Sequence, residues 1–285
     1  MSGAGTPDER AAPALSASVV VYRPSSDELR TTLRTFRREA ERAVAAREVA
    51  SVQLVVVDNG SPAVALDTLL AEELRAAPWF AWTLLRGHGN VGYGRGHNIA
   101  AQRGLGRYHL VLNPDVELVE GALAAGLRFL RENPDVVLAA PCAVSPHGVP
   151  LHLCKRYPSV LVLALRGFAP RCVRARWDAR LGQYEMRHLF AAATPVRADF
   201  LASGCFLLVR SDAFIAAGGF SPRFFLYFED SDLSLRMRQH GALAYLPAMR
   251  IVHHGGNAAR KGWWHVCLFT RSAVTFFRAH GWRLA

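Results

Sequence analysis

Apolar and polar positions along the chain alternate between two periods. Residues 17–22 are a short β-branched run that stops at Arg23, Pro24, Ser25 and Ser26, the pattern of a buried strand entering a loop. Residues 27–47 follow with Leu29, Leu33, Phe36, Ala40 and Val44 at helical spacing, which predicts an amphipathic helix. Residues 52–57 are again strand-like and run into Asp58, Asn59, Gly60 and Ser61. Strand, helix, strand predicts a right-handed parallel crossover. Open α/β sheets bind ligands beyond the carboxyl ends of their strands, so Tyr22 and Asp58 fall where a nucleotide would lie. Taken alone, residues 58–61 fit an ordinary turn equally well.

The same alternation continues. A helix is expected over 63–76, a strand over 81–85, and a glycine-rich tract over 87–98 opening a helix at 99–106. Such a tract can hold phosphate through backbone N–H groups, although it matches neither the dinucleotide fingerprint nor a P-loop. Residues 108–112 read as a strand that delivers Asn113, Pro114 and Asp115. A carboxylate just past a buried strand can hold a divalent cation on a diphosphate, and a strand-ending turn is the equal alternative. A helix over 120–133 and a strand over 136–140 come next. Residues 141–198 show no clear period, and strand character returns over 199–209. Two edge-like strands, 243–247 and 250–252, precede His253, His254, Gly255 and Gly256. Paired histidines at a strand end suggest a metal or phosphate contact, with a structural role as the alternative.

The stretch from Phe224 to Leu233 stands apart. Apolar and aromatic residues run directly into Glu229, Asp230 and Asp232, with a turn-forming Gly218, Gly219, Phe220, Ser221 and Pro222 ahead of them. Carboxylates beside apolar rings lose solvation and move toward pKa values suited to proton uptake. Leu233, Leu235 and Met237 suit a short helix with Glu229 and Asp230 in its first turn, where an acidic helix start would be the plainer explanation. Residues 263–283 read as an amphipathic helix with aromatic and basic edges. Core packing or a dimer contact is one reading and a membrane-surface anchor the other.

Composition narrows the class. The 285 residues are 51% hydrophobic and 20% charged, enough for a large core. The formal net charge is +11, and of the basic residues only Lys155 and Lys261 are lysines. That balance points to an anionic partner such as a nucleotide, a phospholipid surface or a diphosphate-linked acceptor. No basic segment interleaved with aromatics resembles a nucleic-acid module, so nucleic acid is not expected. The five cysteines lack paired spacing and read as reduced thiols of a cytosolic protein. Residues 1–14 read as a flexible leader rather than a secretion signal, and no apolar run approaches the length of a membrane span.

Taken in order, the pieces from Val19–Tyr22 through Asp58–Ser61, Asn90–Asn98, Asn113–Asp115, Ser203–Cys205, Gly218–Leu233 and His253–Gly256 resemble the family-2 inverting glycosyltransferases, most of all their bacterial rhamnosyltransferase branch. The resemblance covers roughly residues 17–280. It implies a GT-A fold: an α/β, Rossmann-like, mostly parallel central sheet flanked by helices, with a C-terminal acceptor-side region and amphipathic helix. Residues 15–285 would form one domain, with 15–135 binding the nucleotide and 136–285 carrying acceptor and catalytic functions. It further implies nucleotide-sugar contacts by Tyr22, Asp58, Asn59, Gly92, Asn98, Asn113 and Asp115, with Asp58 on the base. Asp115 with His253 or His254 would hold Mg²⁺ or Mn²⁺. Asn113 stands where the family's metal motif has its first acid, which puts an absolute metal requirement in question. Asp230 would be the general base, with Glu229 its near alternative. The implied reaction moves a sugar, plausibly rhamnose from dTDP-rhamnose, to a cell-envelope or lipid-linked glycan at the cytoplasmic membrane face. A UDP-linked donor, a sugar-phosphate nucleotidyltransferase and a non-catalytic glycan-binding protein stay open as alternatives, as does oligomerisation.

Overall fold

The structure is a computed structural model that describes residues 14–61, 63–255 and 262–285. The expected leader lies outside these residues, except for Ala14, which opens the first strand.

The first half is built as the pattern predicts. β1 (Ala14–Val21), β2 (Ser51–Asp58), β3 (Phe80–Leu85) and β4 (Tyr108–Leu112) run parallel in the order β3-β2-β1-β4. α1 (Ser26–Ala45) begins under a Ser25 cap with Asp27 and Glu28 in its first turn, both favourable to the helix dipole. Its Leu29, Leu33, Phe36 and Ala40 are fully buried against one face of the sheet. α2 (Ala63–Glu73) and α4 (Ala122–Glu132) lie beside it. α3 (Tyr93–Ala101) covers the opposite face. Strand alternation feeds both layers: Val19, Val21, Leu54 and Val56 join the α1 core, whereas Val20, Val55 and Val57 pack with Ala100 of α3. A buried Ser18–His97–His109 cluster also ties α3 to the sheet, with Ser18 Oγ 2.7 Å from His97 Nδ1 and 3.0 Å from His109 Nε2. Burial lowers the His109 pKa to about 4 and pushes His97 well down, so both rings are neutral.

The second half extends the same sheet. β5 (Val116–Leu118), β6 (Val136–Val144), β11 (Phe206–Arg210) and β12 (Ala242–His253) complete the order β4-β11-β6-β12-β5. β11 is antiparallel to β4 and β6, and β12 is parallel to β6. Short strands β7 (Pro150–Leu151) and β9 (Val196–Arg197) attach to β6 and β12. β8 (Cys154–Lys155) and β10 (Leu201–Ala202) form a separate pair.

Several expectations are corrected. The two edge-like strands at 243–252 are one strand in the sheet interior. A single register shift between Leu246 and Arg250 absorbs Pro247, the residue that suggested a break. The helix expected at 99–106 begins at Tyr93, because Gly94 and Gly96 are helical rather than looped. A Cβ at Gly94 would lie 2.8 Å from Phe220 and one at Gly96 2.8 Å from Val20, so close packing requires the glycines. The strand expected over 199–209 is divided by a turn at residues 203–205. The patternless 141–198 region contains α5 (Val160–Phe168), α6 (Arg171–Arg176) and α7 (Asp178–Tyr184). After β11 come α8 (Ser211–Ala216), α9 (Glu229–Met237) and the C-terminal α10 (Trp263–His280).

Candidate active site

The carboxyl ends of β1 and β2 meet as expected. Tyr22 is half exposed, and Arg23 lies over its ring at 5.4 Å. Asp58 is buried, and its Oδ1 accepts the N–H groups of Gly60 at 3.0 Å and Ser61 at 2.7 Å. The turn reading of residues 58–61 therefore holds, while Asp58 Oδ2 makes no hydrogen bond among the described residues.

Three other predicted nucleotide contacts are engaged inside the protein. Asn59 Nδ2 donates to the Gly92 carbonyl at 3.0 Å, and its Oδ1 lies 3.1 Å from His88 Nε2. Gly92 has φ +89°, and a Cβ there would collide with the Phe225 carbonyl. Asn98 grips the Phe220 peptide from both sides, with Oδ1 accepting its N–H at 2.9 Å and Nδ2 donating to its carbonyl at 2.7 Å. These three residues shape the site; their own polar groups already have partners. Tyr93 N–H donates to the Phe225 carbonyl at 3.0 Å, so α3 braces the loop that leads to Glu229.

Past β4, Asn113 and Asp115 stand beside the end of β12, because β5 pairs His253 with Val116. His253 Nε2 is 3.4 Å from Asp115 Oδ1, without the alignment of a hydrogen bond. Asp115 Oδ1 and Asn113 Oδ1 are both buried and unpartnered. Burial pushes the Asp115 carboxyl up, but the neighbouring His253 and Asn113 outweigh it and hold the group below its ordinary range. A Cβ at Gly255 would collide with Asp115 Oδ2, so that glycine keeps the carboxylate accessible to its partners. His254 turns to Glu117, 3.8 Å away. Of the two histidines, His253 is the one beside Asp115. Among the described residues no three histidine, cysteine or acidic side chains converge as a metal cluster. One carboxylate, one imidazole and one amide oxygen, two of these oxygens buried without a partner, nevertheless offer oxygen and nitrogen donors of the kind a divalent cation takes.

The turn between β10 and β11 joins this pair to the acidic helix. Cys205 carbonyl accepts the Asn113 N–H at 2.8 Å, while Gly204 N–H donates to Asp230 Oδ2 at 2.8 Å. Tyr93 Oη donates to the Gly204 carbonyl at 2.6 Å. Burial raises the Cys205 thiol pKa to about 12, and the charges of both Asp115 and Asp230 add to that rise. Both carboxylates also act on the partly buried Tyr93, whose hydroxyl pKa is pushed up first by desolvation. The Gly204–Cys205 turn is thus hydrogen-bonded both to the segment that carries Asp115 and to Asp230.

Asp230 is partly exposed, with Oδ1 accepting the Ser231 N–H at 2.7 Å. Glu229 is buried, its Oε2 unpartnered. Burial, then the Asp230 charge, raises its pKa to about 8. Tyr227 (φ +72°) and Phe228 (φ +64°) precede them in the left-handed region, a costly conformation for aromatic residues. α10 secures it. Phe228 packs on Phe269 and Phe276 at 5.1 and 5.2 Å, Ser272 Oγ donates to the Leu226 carbonyl at 2.8 Å, and His280 Nε2 is 2.8 Å from Asp232. The sequence placed Tyr93 only within the glycine-rich tract and Gly204 only within the Ser203–Cys205 piece, with no role for either.

Residues 18–213 match the family model "Glycosyl transferase family 2". The chain belongs to glycosyltransferase family 2. It is similar to N-acetylglucosaminyl-diphospho-decaprenol L-rhamnosyltransferase of Mycobacterium tuberculosis, 30% identical over 178 residues, which are 61% of this chain and 56% of that protein. It thus spans little more than half the length of that curated relative. A shorter match, 42% over 53 residues (18% of this chain, 20% of the relative), is to rhamnosyltransferase WbbL of Escherichia coli K12. Among solved structures, GalNAc-T7 with UDP, GalNAc and Mn²⁺ superposes with TM-score 0.62 at 16% identity, covering 88% of this chain and 45% of that one. The mannosyltransferase PcManGT of Pyrobaculum calidifontis, solved with GDP-Man and Mn²⁺, gives 0.58 at 15% identity over 96% and 66%. These likenesses establish the GT-A fold.

Proposed function

We propose that the protein is an inverting glycosyltransferase that moves rhamnose from dTDP-rhamnose to a lipid-linked or cell-envelope glycan. The observation that supports this reading is the Gly204–Cys205 turn, which accepts the Asn113 N–H on one side and donates to Asp230 on the other, tying the Asn113–Asp115 segment to the acidic helix. Asp230, oriented by Gly204 and Ser231, takes the proton of the acceptor hydroxyl as it attacks the anomeric carbon. Asp58 and Tyr22 hold the base and ribose side of the donor. Asn113, Asp115 and His253 would hold Mg²⁺ or Mn²⁺, which when bound neutralises charge on the departing diphosphate. Burial raises the Glu229 pKa to about 8, so Glu229 keeps its proton near neutral pH and the acceptor proton goes to Asp230. The rhamnosyl group follows from the two rhamnosyltransferase relatives.

Exposed Trp263 and Trp264, 78% and 68% accessible at the start of α10, support work at a membrane face. Among the described residues no helix is long and apolar enough to cross a membrane. The test is transfer from dTDP-rhamnose and UDP-sugars to a lipid-linked N-acetylglucosamine acceptor, with the product's anomeric configuration read by NMR. Inverted rhamnoside supports the reading. Retained configuration, or turnover with UDP-sugars alone, contradicts it.

A further inference from the structure

α5, α6 and α7 enclose a cavity of about 370 Å³ lined by Arg166, Arg171, Arg174 and Arg187 with Asp178 and Glu185. Two of these arginines are already paired: Arg166 Nε lies 3.0 Å from Glu185, and Arg187 is 2.7 Å from Asp178. Arg171 and Arg174 form no ion pair among the described residues, and α6, which carries them, has no buried residue. The cavity therefore holds two uncompensated guanidinium groups beside two fixed ones. Val162, Leu165, Leu181 and Tyr184 form a small core beneath it that holds α5 against α7. Apolar side chains are displayed around the same helices, with Phe168 70% exposed and Trp177 37%.

The two-stranded pair of β8 and β10 connects the cavity to Asp230. β8 pairs with β10, which leads into the Gly204 turn that holds Asp230. On its other side, Arg156 N–H donates to the Tyr184 carbonyl at 2.8 Å, next to cavity-lining Glu185. Lys155 lies between, feeling Arg166 and Glu185 of the cavity as well as Asp230; burial first, then Arg166, lowers its pKa to about 8.

We propose that this arginine-lined cavity binds the diphosphate headgroup of a lipid-linked acceptor, with the lipid chain leaving past Phe168 and Trp177. The inference rests on the glycosyl-transfer reading above and names its acceptor class. A sugar joined to a lipid diphosphate places its hydroxyl one residue from two phosphates. In this chain the β10–β8 pair links Asp230 to the arginine-lined helices. Guanidinium groups suit phosphate oxygens because they donate paired N–H groups in one plane.

The test uses the full chain with neutral phosphatidylcholine vesicles, plain, doped with a polyprenyl diphosphate, or doped to matched charge with phosphatidylglycerol. Binding should favour the polyprenyl diphosphate vesicles and fall roughly tenfold in an Arg171→Gln/Arg174→Gln variant, while nucleoside diphosphate still raises the melting temperature of both proteins. Equal binding to both charged vesicles would assign the patch to bulk membrane charge and overturn the headgroup site. Unchanged vesicle binding by the variant, with its nucleotide response intact, would overturn the site and leave the transfer reading standing. Weakened vesicle binding in a chain that never responds to nucleoside diphosphates would keep the site and remove the transfer reading.

Discussion

Asp230 Oδ2 accepts the backbone N–H of Gly204 at 2.8 Å, joining two segments separated by 26 positions. That bond sets where the carboxylate points, and space around it is tight. A Cβ at Gly204 would lie 3.2 Å from Tyr93 Cε1 and 3.3 Å from Asp230 Cβ. Gly204→Ala should therefore displace Asp230 by a few tenths of an ångström. Turnover should fall about tenfold, with nucleoside diphosphate affinity within about twofold of wild type. Steady-state kinetics and calorimetry check this, and an unchanged kcat would count against the positioning role.

Glu229 titrates near pH 8 because it is buried beside Asp230. The unfolded chain gives up this proton near the ordinary glutamate range, while the folded chain keeps it until about pH 8. The group therefore lowers folding stability as pH rises between these values. Glu229→Gln removes that loss, so its melting temperature should gain on wild type progressively from pH 5 to 8, by on the order of a few °C. Activity at pH 7 should persist, since glutamine resembles the protonated acid. A gap in melting temperature that stays flat across this range contradicts the burial account.

His253 and His254 are adjacent in sequence and differ in partner, Asp115 for the first and Glu117 for the second. His253→Ala should weaken Mn²⁺-dependent nucleoside diphosphate binding by at least about tenfold, and His254→Ala should leave it near wild type. Calorimetric titration with and without Mn²⁺ separates them. Equal losses would mean that the Asp115 pairing does not select the ligand.

Phe276 is fully buried and stacks near Phe228, the left-handed residue just before the acidic helix. Phe276→Ala should cost about 3–5 kcal/mol of stability. At temperatures where it remains folded, it should also lower kcat through the loosened Glu229–Asp230 turn. Denaturant unfolding together with kinetics tests both parts; full activity would show that the turn holds without α10.

Much of this was legible in the sequence where local pattern and tertiary role agree. Residues 108–112 are a strand because five consecutive buried positions need no interpretation of context, and Glu229 opens a helix as the acidic start suggests. Legibility failed where a residue type has a tertiary reason. Gly94 and Gly96 look like breakers but are helical because Phe220 and Val20 leave no room for a Cβ. Asn98 looks like a ligand-binding amide but clamps the Phe220 backbone. The α5–α7 region lacks a period because its small core uses only a few positions on each helix. The role of Gly204, which lies within the matching Ser203–Cys205 piece, could not be read, since its contribution to the site is a backbone N–H.

The central claim is that Asp230 takes the acceptor proton while a separate group of residues holds the donor. Turnover and donor binding of Asp230→Asn, measured on the same preparation with dTDP-rhamnose, test it most directly. The account predicts kcat reduced by at least about a thousandfold with donor affinity within about threefold of wild type. An Asp230→Asn enzyme with wild-type turnover would contradict it.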